Sequence, residues 1–279
     1  MTPPRERLDK HVDETPLAVA LMVYQSPAGS SHTLSIVVPA FNEEATLQPV
    51  IEKLLQVPHL HEIIVVDDCS TDRTPAIGSA LQAQHPQVRV ICQPRNQGKT
   101  AALKRGFAAT TGDIVIVQDA DFEYDPSEII DVIRPILEHR ADVVYGSRFL
   151  VRKATRVLYF YHYLANKALT FFSNLLTNVN FSDVETGYKA FRGDIIRNMI
   201  ITSSRFGFEI EVTAKVCKLG CATYEVPISY YGRTYEQGKK IHMSDGLAAF
   251  WYIIQYNWLT SLKSSYRIIP NNLIDGSGR

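Results

Sequence analysis

Between residues 34 and 147, short apolar runs alternate with longer segments of mixed character. Leu34-Ser35-Ile36-Val37-Val38-Pro39 is rich in β-branched residues, as are Glu62 to Val66, Val88 to Cys92, Ile114 to Gln118 and Val143-Val144-Tyr145. Most of these runs are continuously apolar, which marks strands covered on both faces. The segments between them carry a helical period. After Asn42-Glu43-Glu44, the positions Leu47, Val50, Ile51, Leu54 and Leu55 fall on one helix face. Thr71-Asp72-Arg73-Thr74-Pro75 supplies the cap and first turn of a helix over 75–84, and further helices are predicted over Gly98 to Thr110 and Pro126 to His139. This alternation predicts an α/β protein of three layers, α/β/α, with a mainly parallel central sheet.

The unusual polar residues cluster where these strands end. The strand ends read Pro39-Ala40-Phe41-Asn42-Glu43, Asp67-Asp68, Asp119-Ala120-Asp121 and Gly146-Ser147-Arg148. In a parallel sheet they share the carboxyl edge, where ligands bind. Asp119, Asp121, Glu123 and Asp125 follow one buried strand at every second position. Asp125 precedes Pro126 and reads as a helix cap. Asp119 and Asp121 would repel each other at one spot unless a cation joined them. A hard divalent ion, Mg²⁺ or Mn²⁺, takes oxygen ligands and leaves positions for phosphate oxygens. No G-x-G-x-x-G and no P-loop follows the first strand, which removes the main support for dinucleotide and ordinary ATPase readings.

Composition narrows the partners. The chain has 279 residues, 46% of them hydrophobic, which suits one large domain or one domain with an appendage. Residues 1–31 read as a flexible lead, 32–245 as the catalytic domain and 246–279 as an aromatic amphipathic helix with a tail. Lys+Arg 29 against Asp+Glu 29 gives net charge +0, so no global field favours nucleic acid. Cys69, Cys92, Cys217 and Cys221 form no zinc spacing and read as free thiols of a reducing compartment. No secretory signal is visible, and no window reaches the ~18–20 apolar residues of a spanning helix. Two windows are nonetheless rich in aromatics, Val157 to Leu176 and Gly246 to Leu262, the second with both tryptophans. Each suits a core helix or a helix lying in a bilayer interface, and the basic flank of the first favours the interface.

Six motifs occur in order: Ser35 to Glu44, Ile64 to Asp72, Arg95-Asn-Gln-Gly-Lys99, Asp119-Ala-Asp121, Gly146-Ser-Arg148 and Asp183-Val-Glu-Thr-Gly-Tyr-Lys-Ala-Phe-Arg192. With Val226 to Lys239, they resemble the family-2 glycosyltransferases of GT-A fold, in the branch of dolichol-phosphate mannosyltransferases and polyprenyl-phosphate glucosyltransferases. The resemblance covers about residues 34 to 245. It implies that Pro39, Phe41, Glu43, Val66 and Asp68 hold the base and ribose of a nucleotide-sugar donor. Asp119, Ala120 and Asp121 match the DxD-type motif, with Asp121 as ligand of Mg²⁺ or Mn²⁺. Glu123 stands where the branch often has Gln, which keeps an oxygen ligand and adds a charge. Arg233 and Lys239 fall on a pattern that closes over the diphosphate.

Two acceptors stay open. A lipid phosphate is already an anion and needs cations, for which Arg148 and the cluster Arg152, Lys153 and Arg156 are candidates. A sugar hydroxyl needs a general base, for which Asp183 and Glu185 are candidates. The branch resemblance and the basic cluster favour polyprenyl phosphate. The expectation is therefore an inverting hexosyltransferase, using GDP-mannose or UDP-glucose, peripheral to the cytoplasmic face of a membrane or held there by a separate membrane partner. A non-catalytic nucleotide-sugar-binding scaffold is the rival of another class; the intact Asp119/Asp121 and Arg233/Lys239 pairs argue against it. A nucleotidyltransferase shares sheet and metal, but lacks the glycine-rich first loop for a triphosphate.

Overall fold

A computed structural model describes residues 32–150, 159–204, 207–232 and 243–274. Seven strands and nine α-helices follow along these residues. The first part holds β1 (Leu34–Ala40), α1 (Leu47–Leu54), β2 (Leu60–Asp67), α2 (Thr74–Gln84), β3 (Val88–Cys92), α3 (Lys99–Ala109) and β4 (Ile114–Val117). A short 3-10 turn (Pro126–Glu128) leads into α4 (Ile129–Leu137), and β5 (Val143–Ser147) follows. Then come α5 (Phe160–Thr177), β6 (Lys189–Arg192), α6 (Gly193–Asn198), α7 (Phe208–Leu219), β7 (Thr223–Pro227), α8 (Met243–Trp258) and α9 (Leu262–Ser265). Every strand and helix expected up to residue 147 is present, with ends shifted by a residue or a few.

The strands form one sheet in the order β3-β2-β1-β4-β6-β5-β7. Six run parallel; β6 alone is reversed, pairing antiparallel with β4 (Val115 opposite Phe191) and β5 (Val144 opposite Ala190). Successive side chains of a strand point to opposite faces, and on β1 both faces are apolar. Ile36 and Val38 pack with Val50, Ile51 and Leu54 of α1 and Val132, Ile133 and Ile136 of α4. Val37 faces the other way, into a second core with Leu103 and Phe107 of α3, Phe208 and Val212 of α7, and Ile253 of α8. The three-layer arrangement follows from this two-sided burial.

The C-terminal stretch is packed into that second core. Ala249, Ile253 and Tyr266 are buried there, and the Tyr266 hydroxyl donates to the Lys215 carbonyl (3.1 Å). Buried Asp142 accepts from Arg192 Nη1 (2.7 Å) and from the backbone N–H of Ile274 (2.9 Å), which ties residue 274 to the sheet.

Among the described residues, an apolar surface is exposed on two neighbouring helices. On α5 and just before it, Tyr159, Phe160, Tyr161, Leu164, Phe171 and Leu175 are exposed, Tyr161 by 80%. On α8, Trp251, Ile254 and Trp258 are exposed, and Phe250 meets Phe172 of α5 edge-on at 5.4 Å. The two aromatic windows thus adjoin, and each combines buried residues, Leu169 in the first and Ala249, Ile253 and Tyr256 in the second, with exposed ones. No helix among the described residues is long and apolar enough to cross a membrane.

Candidate active site at the carboxyl edge of the sheet

Three strand ends carry a residue with positive φ that is not glycine: Asn42 after β1 (53°), Cys69 after β2 (62°) and Phe122 after β4 (58°). For a bulky residue such as Phe122 this left-handed backbone is costly, and such strain gathers at functional sites. The first two turns are laced together. The Asn42 N–H donates to Ser70 Oγ (2.9 Å), Asn42 Oδ1 accepts from the Thr71 N–H (2.8 Å), and the Glu43 N–H donates to Thr74 Oγ1 (2.8 Å). Pro39, Phe41 and Glu43 line this corner half-buried, next to buried Val66.

Asp68 is 3% exposed. Its Oδ1 accepts from Gln93 Nε2 (2.7 Å) and the Gln97 N–H (2.9 Å), and its Oδ2 from the Gly98 N–H (2.7 Å). The carboxylate therefore shapes the entry to α3, where Gly98 takes φ 87°, a conformation that glycine adopts without strain. The next residue, Lys99, reaches Asp119 Oδ1 (2.9 Å) and Oδ2 (3.0 Å) at the end of β4, and Glu209 Oε1 of α7 (3.5 Å). Burial alone would lower the Lys99 pKa, but Asp119 and Glu209 outweigh it and hold the ammonium charged.

Ala120 is buried, while Asp121 and Glu123 are half-buried beside it. Asp121 Oδ1 accepts from the Glu123 N–H (3.1 Å), and Glu123 Oε2 accepts from the Tyr230 hydroxyl (2.9 Å). Asp125 caps the following turn, accepting from the Ser127 N–H (3.0 Å), as its sequence context predicts. The loop after β7 is fixed to the same corner, since Ser229 donates to buried Glu128 through its N–H (2.8 Å) and its hydroxyl (2.9 Å).

At the end of β5, Arg148 makes a two-pronged pair with Asp183: Nε to Oδ2 (2.7 Å) and Nη2 to Oδ1 (2.7 Å). Asp183 is wholly buried. Burial would raise its pKa, but Arg148 overrides this and holds the carboxyl below its usual range. Its two oxygens are occupied and its proton affinity is low, so it is poorly suited to be a general base. Glu225 of β7 fixes the backbone here, accepting from the N–H groups of Ser182 (2.9 Å) and Asp183 (3.2 Å). Because β6 is reversed, the segment leading into it, 183–188, arrives at the edge where the parallel strands end. Its Gly187 has no room for a side chain: a Cβ would lie 2.9 Å from Asp119 Oδ2 and 3.2 Å from Lys99 Nζ.

Arg152, Lys153, Arg156, Arg233 and Lys239 lie outside the described residues. Of the rest, the structure gathers Asp119, Ala120, Asp121 and Glu123 on one side and Arg148 with Asp183 on the other. Glu209, Glu225 and Tyr230 join the site without having been named as candidates, and Lys99, which ends one of the motifs, joins it without having been given a role. Lys99 had a signal: a cation in the first turn of a helix opposes the macrodipole and calls for a carboxylate partner. Glu209 had one as well, as an acid inside the apolar run Phe206 to Val212.

Among the described residues, no three His, Cys, Asp or Glu side chains gather to cage a metal unaided. The donor set fits an ion such as Mg²⁺ or Mn²⁺, which needs one or two carboxylates when phosphates and water complete its shell. Asp121 and Glu123 are the carboxylates next to the strand end, while Asp119 is engaged by Lys99.

A search of solved structures finds glucosyl-3-phosphoglycerate synthase from Mycobacterium tuberculosis, in complex with Mn²⁺, UDP and phosphoglyceric acid, at TM-score 0.64 and 21% identity, covering 84% of this chain and 85% of that one. The fold is thus GT-A. An undecaprenyl-phosphate mannosyltransferase of Micrococcus luteus is 26% identical over 217 residues, 76% of this chain and 87% of the relative. A dolichol-phosphate mannosyltransferase of Pyrococcus furiosus is 28% identical over 215 residues, and the match spans 75% of this chain but 60% of that longer relative. The model of glycosyl transferase family 2 matches residues 35–199, more than half of the chain, and with the strand-end motifs brought to one edge the chain belongs to that family.

Proposed function

We propose that the chain transfers a hexose, with inversion, from GDP-mannose or UDP-glucose to a polyprenyl phosphate at a membrane surface. The observation that carries this reading is the bare aromatic face of α5 and α8, joined through α5 to the Arg148 end of the site. Lys167 of α5 donates to the Ser182 carbonyl (3.2 Å) and lies 4.2 Å from the centre of the Phe149 ring, so its cation sits between that face and the Arg148–Asp183 pair. An isoprenoid chain fits an apolar face and its phosphate fits cations. The two mannosyltransferase relatives are named for undecaprenyl phosphate and dolichol phosphate, acceptors of this kind.

In this reading the corner of Pro39, Phe41, Glu43, Val66 and Asp68 holds the base and ribose. Asp121, with Glu123 beside it, holds Mg²⁺ or Mn²⁺, which when bound neutralises charge growing on the leaving diphosphate. Lys99 keeps Asp119 fixed at the strand end. Arg233 and Lys239 close over the diphosphate, and Arg148 with Arg152, Lys153 and Arg156 draws in the acceptor. A phosphate monoester, with second pKa near ~6, is already an anion and attacks the anomeric carbon opposite the diphosphate without a general base. The occupied state of Asp183 agrees with that. Reaction takes place at the membrane surface to which the bare face attaches, on the cytoplasmic side where nucleotide-sugars are supplied.

The test is transfer of radiolabelled sugar from GDP-mannose or UDP-glucose to a short-chain polyprenyl phosphate with Mg²⁺ or Mn²⁺. A metal-dependent, lipid-soluble, acid-labile product is expected. Transfer to free sugars or glycolipid hydroxyls, with none to the lipid phosphate, overturns the acceptor.

A further inference from the structure

Among the described residues, most charged groups around segment 183–187 have hydrogen-bonding partners for the atoms they bury, and Glu185 does not for one of its oxygens. Asp183 is taken by Arg148, and Asp119 and Glu209 share Lys99. Buried Lys189 of β6 donates to the carbonyls of Val184 (3.0 Å) and Thr186. Glu185 differs: its Oε1 is buried and has no hydrogen-bond partner among the described residues. A buried acceptor without a donor costs free energy. Burial first, then the neighbouring Glu209 carboxylate, raises the Glu185 pKa to about 7, against the pull of Lys189 and Arg148. Asp183 adds to the rise. The fold thus leaves one oxygen of this acid without a donor among the described residues.

The position of this acid is informative. Gly187, two residues on, abuts Asp119 and Lys99, while Asp183, two residues back, grips Arg148. Segment 183–187 therefore runs from the acceptor end of the site to the diphosphate end. A sugar in transit occupies that interval, since one side of its anomeric carbon faces the diphosphate and the other the acceptor. Sugar hydroxyls are strong donors for a carboxyl oxygen, and a hydroxyl at the right carbon supplies the partner that Oε1 lacks.

We propose that Glu185 binds a hydroxyl of the donor hexose and so determines which nucleotide-sugar is accepted. This rests on the nucleotide-sugar reading above but not on the identity of the acceptor. A donor that lacks or inverts that hydroxyl leaves the buried oxygen unmatched and is rejected, as sites built around a substrate hydroxyl reject analogues without it.

Calorimetric titration with Mn²⁺ present tests it, comparing GDP with GDP-mannose and UDP with UDP-glucose on the wild type, Glu185→Gln and Glu185→Ala. The nucleoside diphosphates are expected to bind all three proteins alike. The tighter nucleotide-sugar is expected to lose roughly tenfold to a hundredfold in affinity on Glu185→Ala. Glu185→Gln, of the same shape and with an oxygen that still accepts, is expected to lose less. One of the monodeoxy analogues of that donor is expected to bind the wild type as weakly as the parent binds Glu185→Ala, with no further loss on the variant. Equal losses for nucleotide and nucleotide-sugar overturn the proposal, as does no loss for either. A fall in kcat with unchanged donor affinity also overturns it, because that is the mark of a general base. If the sugar-dependent loss is seen but wild type transfers nothing to polyprenyl phosphate, the lipid acceptor falls and Glu185 stands. If lipid transfer is seen without that loss, the acceptor stands and Glu185 falls.

Discussion

The two sides of the site hold their carboxylates by different means. Near β1 and β2, carboxylates are held largely by backbone N–H groups. Asp68 takes those of Gln97 and Gly98, Asp72 those of Glu44 and Thr74, and Glu44 that of Arg73. Near β4, β5 and β6 side-chain cations take a larger share: Lys99 holds Asp119 and Glu209, and Arg148 holds Asp183, while Asp121 and Glu225 keep backbone partners. A backbone donor cannot swing away, so the first arrangement suits a part of the substrate that does not change, the nucleotide. An ion pair is rigid only while both partners are present, and each partner can instead answer to an incoming charge. Under the proposed function, the second arrangement falls where charge would move during the reaction.

This contrast can be broken at several points. The largest effect is expected from Asp121→Ala, with transfer falling by about a thousandfold or more and the melting temperature unchanged. Wild-type rates in metal-free buffer would remove the metal from the account. Next is Arg148→Ala, which strands the buried Asp183 charge and is expected to cost roughly 3–5 kcal/mol in urea unfolding. Pairing it with Asp183→Leu should recover much of that loss, because the two charges depend on each other. On the backbone-anchored side, Asp68→Asn is expected to cost about 1–3 kcal/mol, since its amide presents an N–H to the Gly98 or Gln97 N–H. It should also raise the Michaelis constant for the donor, and no change of a cation should rescue it. A double-mutant recovery at Asp68 would erase the contrast.

The last effect concerns Glu185. Its folded pKa, about 7, lies above its ordinary value of 4.5. The stability it contributes is therefore fully present below pH 4.5 and is lost as pH rises through 7. Thermal melts of the ligand-free protein should decline by a few degrees over this range. Glu185→Gln should flatten the decline, and an unchanged slope would show that the titrating group lies elsewhere.

The half of the fold that buries both faces of parallel strands was legible, because Ile36-Val37-Val38 and Ile114 to Val117 leave no other reading. β6 was not, since Lys189-Ala190-Phe191-Arg192 is short and carries a charge at each end. Lys189 is nevertheless fully buried, satisfied by carbonyls that no local pattern reports. α7 escaped for a related reason: Glu209, Glu211 and Lys215 are all buried in it, which destroys the apolar stripe that marks a helix. Glu211 and Lys215 satisfy each other one turn apart, at 2.5 Å. The carboxylates at the strand ends were visible as residue types, but their division between backbone and cation partners depends on contacts distant in sequence. Arg148 was expected to meet a phosphate, and its grip on Asp183, 35 positions later, needed the reversed strand to be seen.

That reversal also decides what moves together. The connection between α5 and segment 183–187 is clamped rather than slack: Asn174 bonds both the carbonyl (2.7 Å) and the N–H (3.2 Å) of Phe181, and Lys167 holds the Ser182 carbonyl. A helix whose outer side is bare thus feeds straight into the stretch that carries Asp183, Glu185 and Gly187. Under the proposed function, a tilt of α5 as its aromatic side settles on a surface would be carried along the chain to those residues, placing docking and sugar selection in series on one lever.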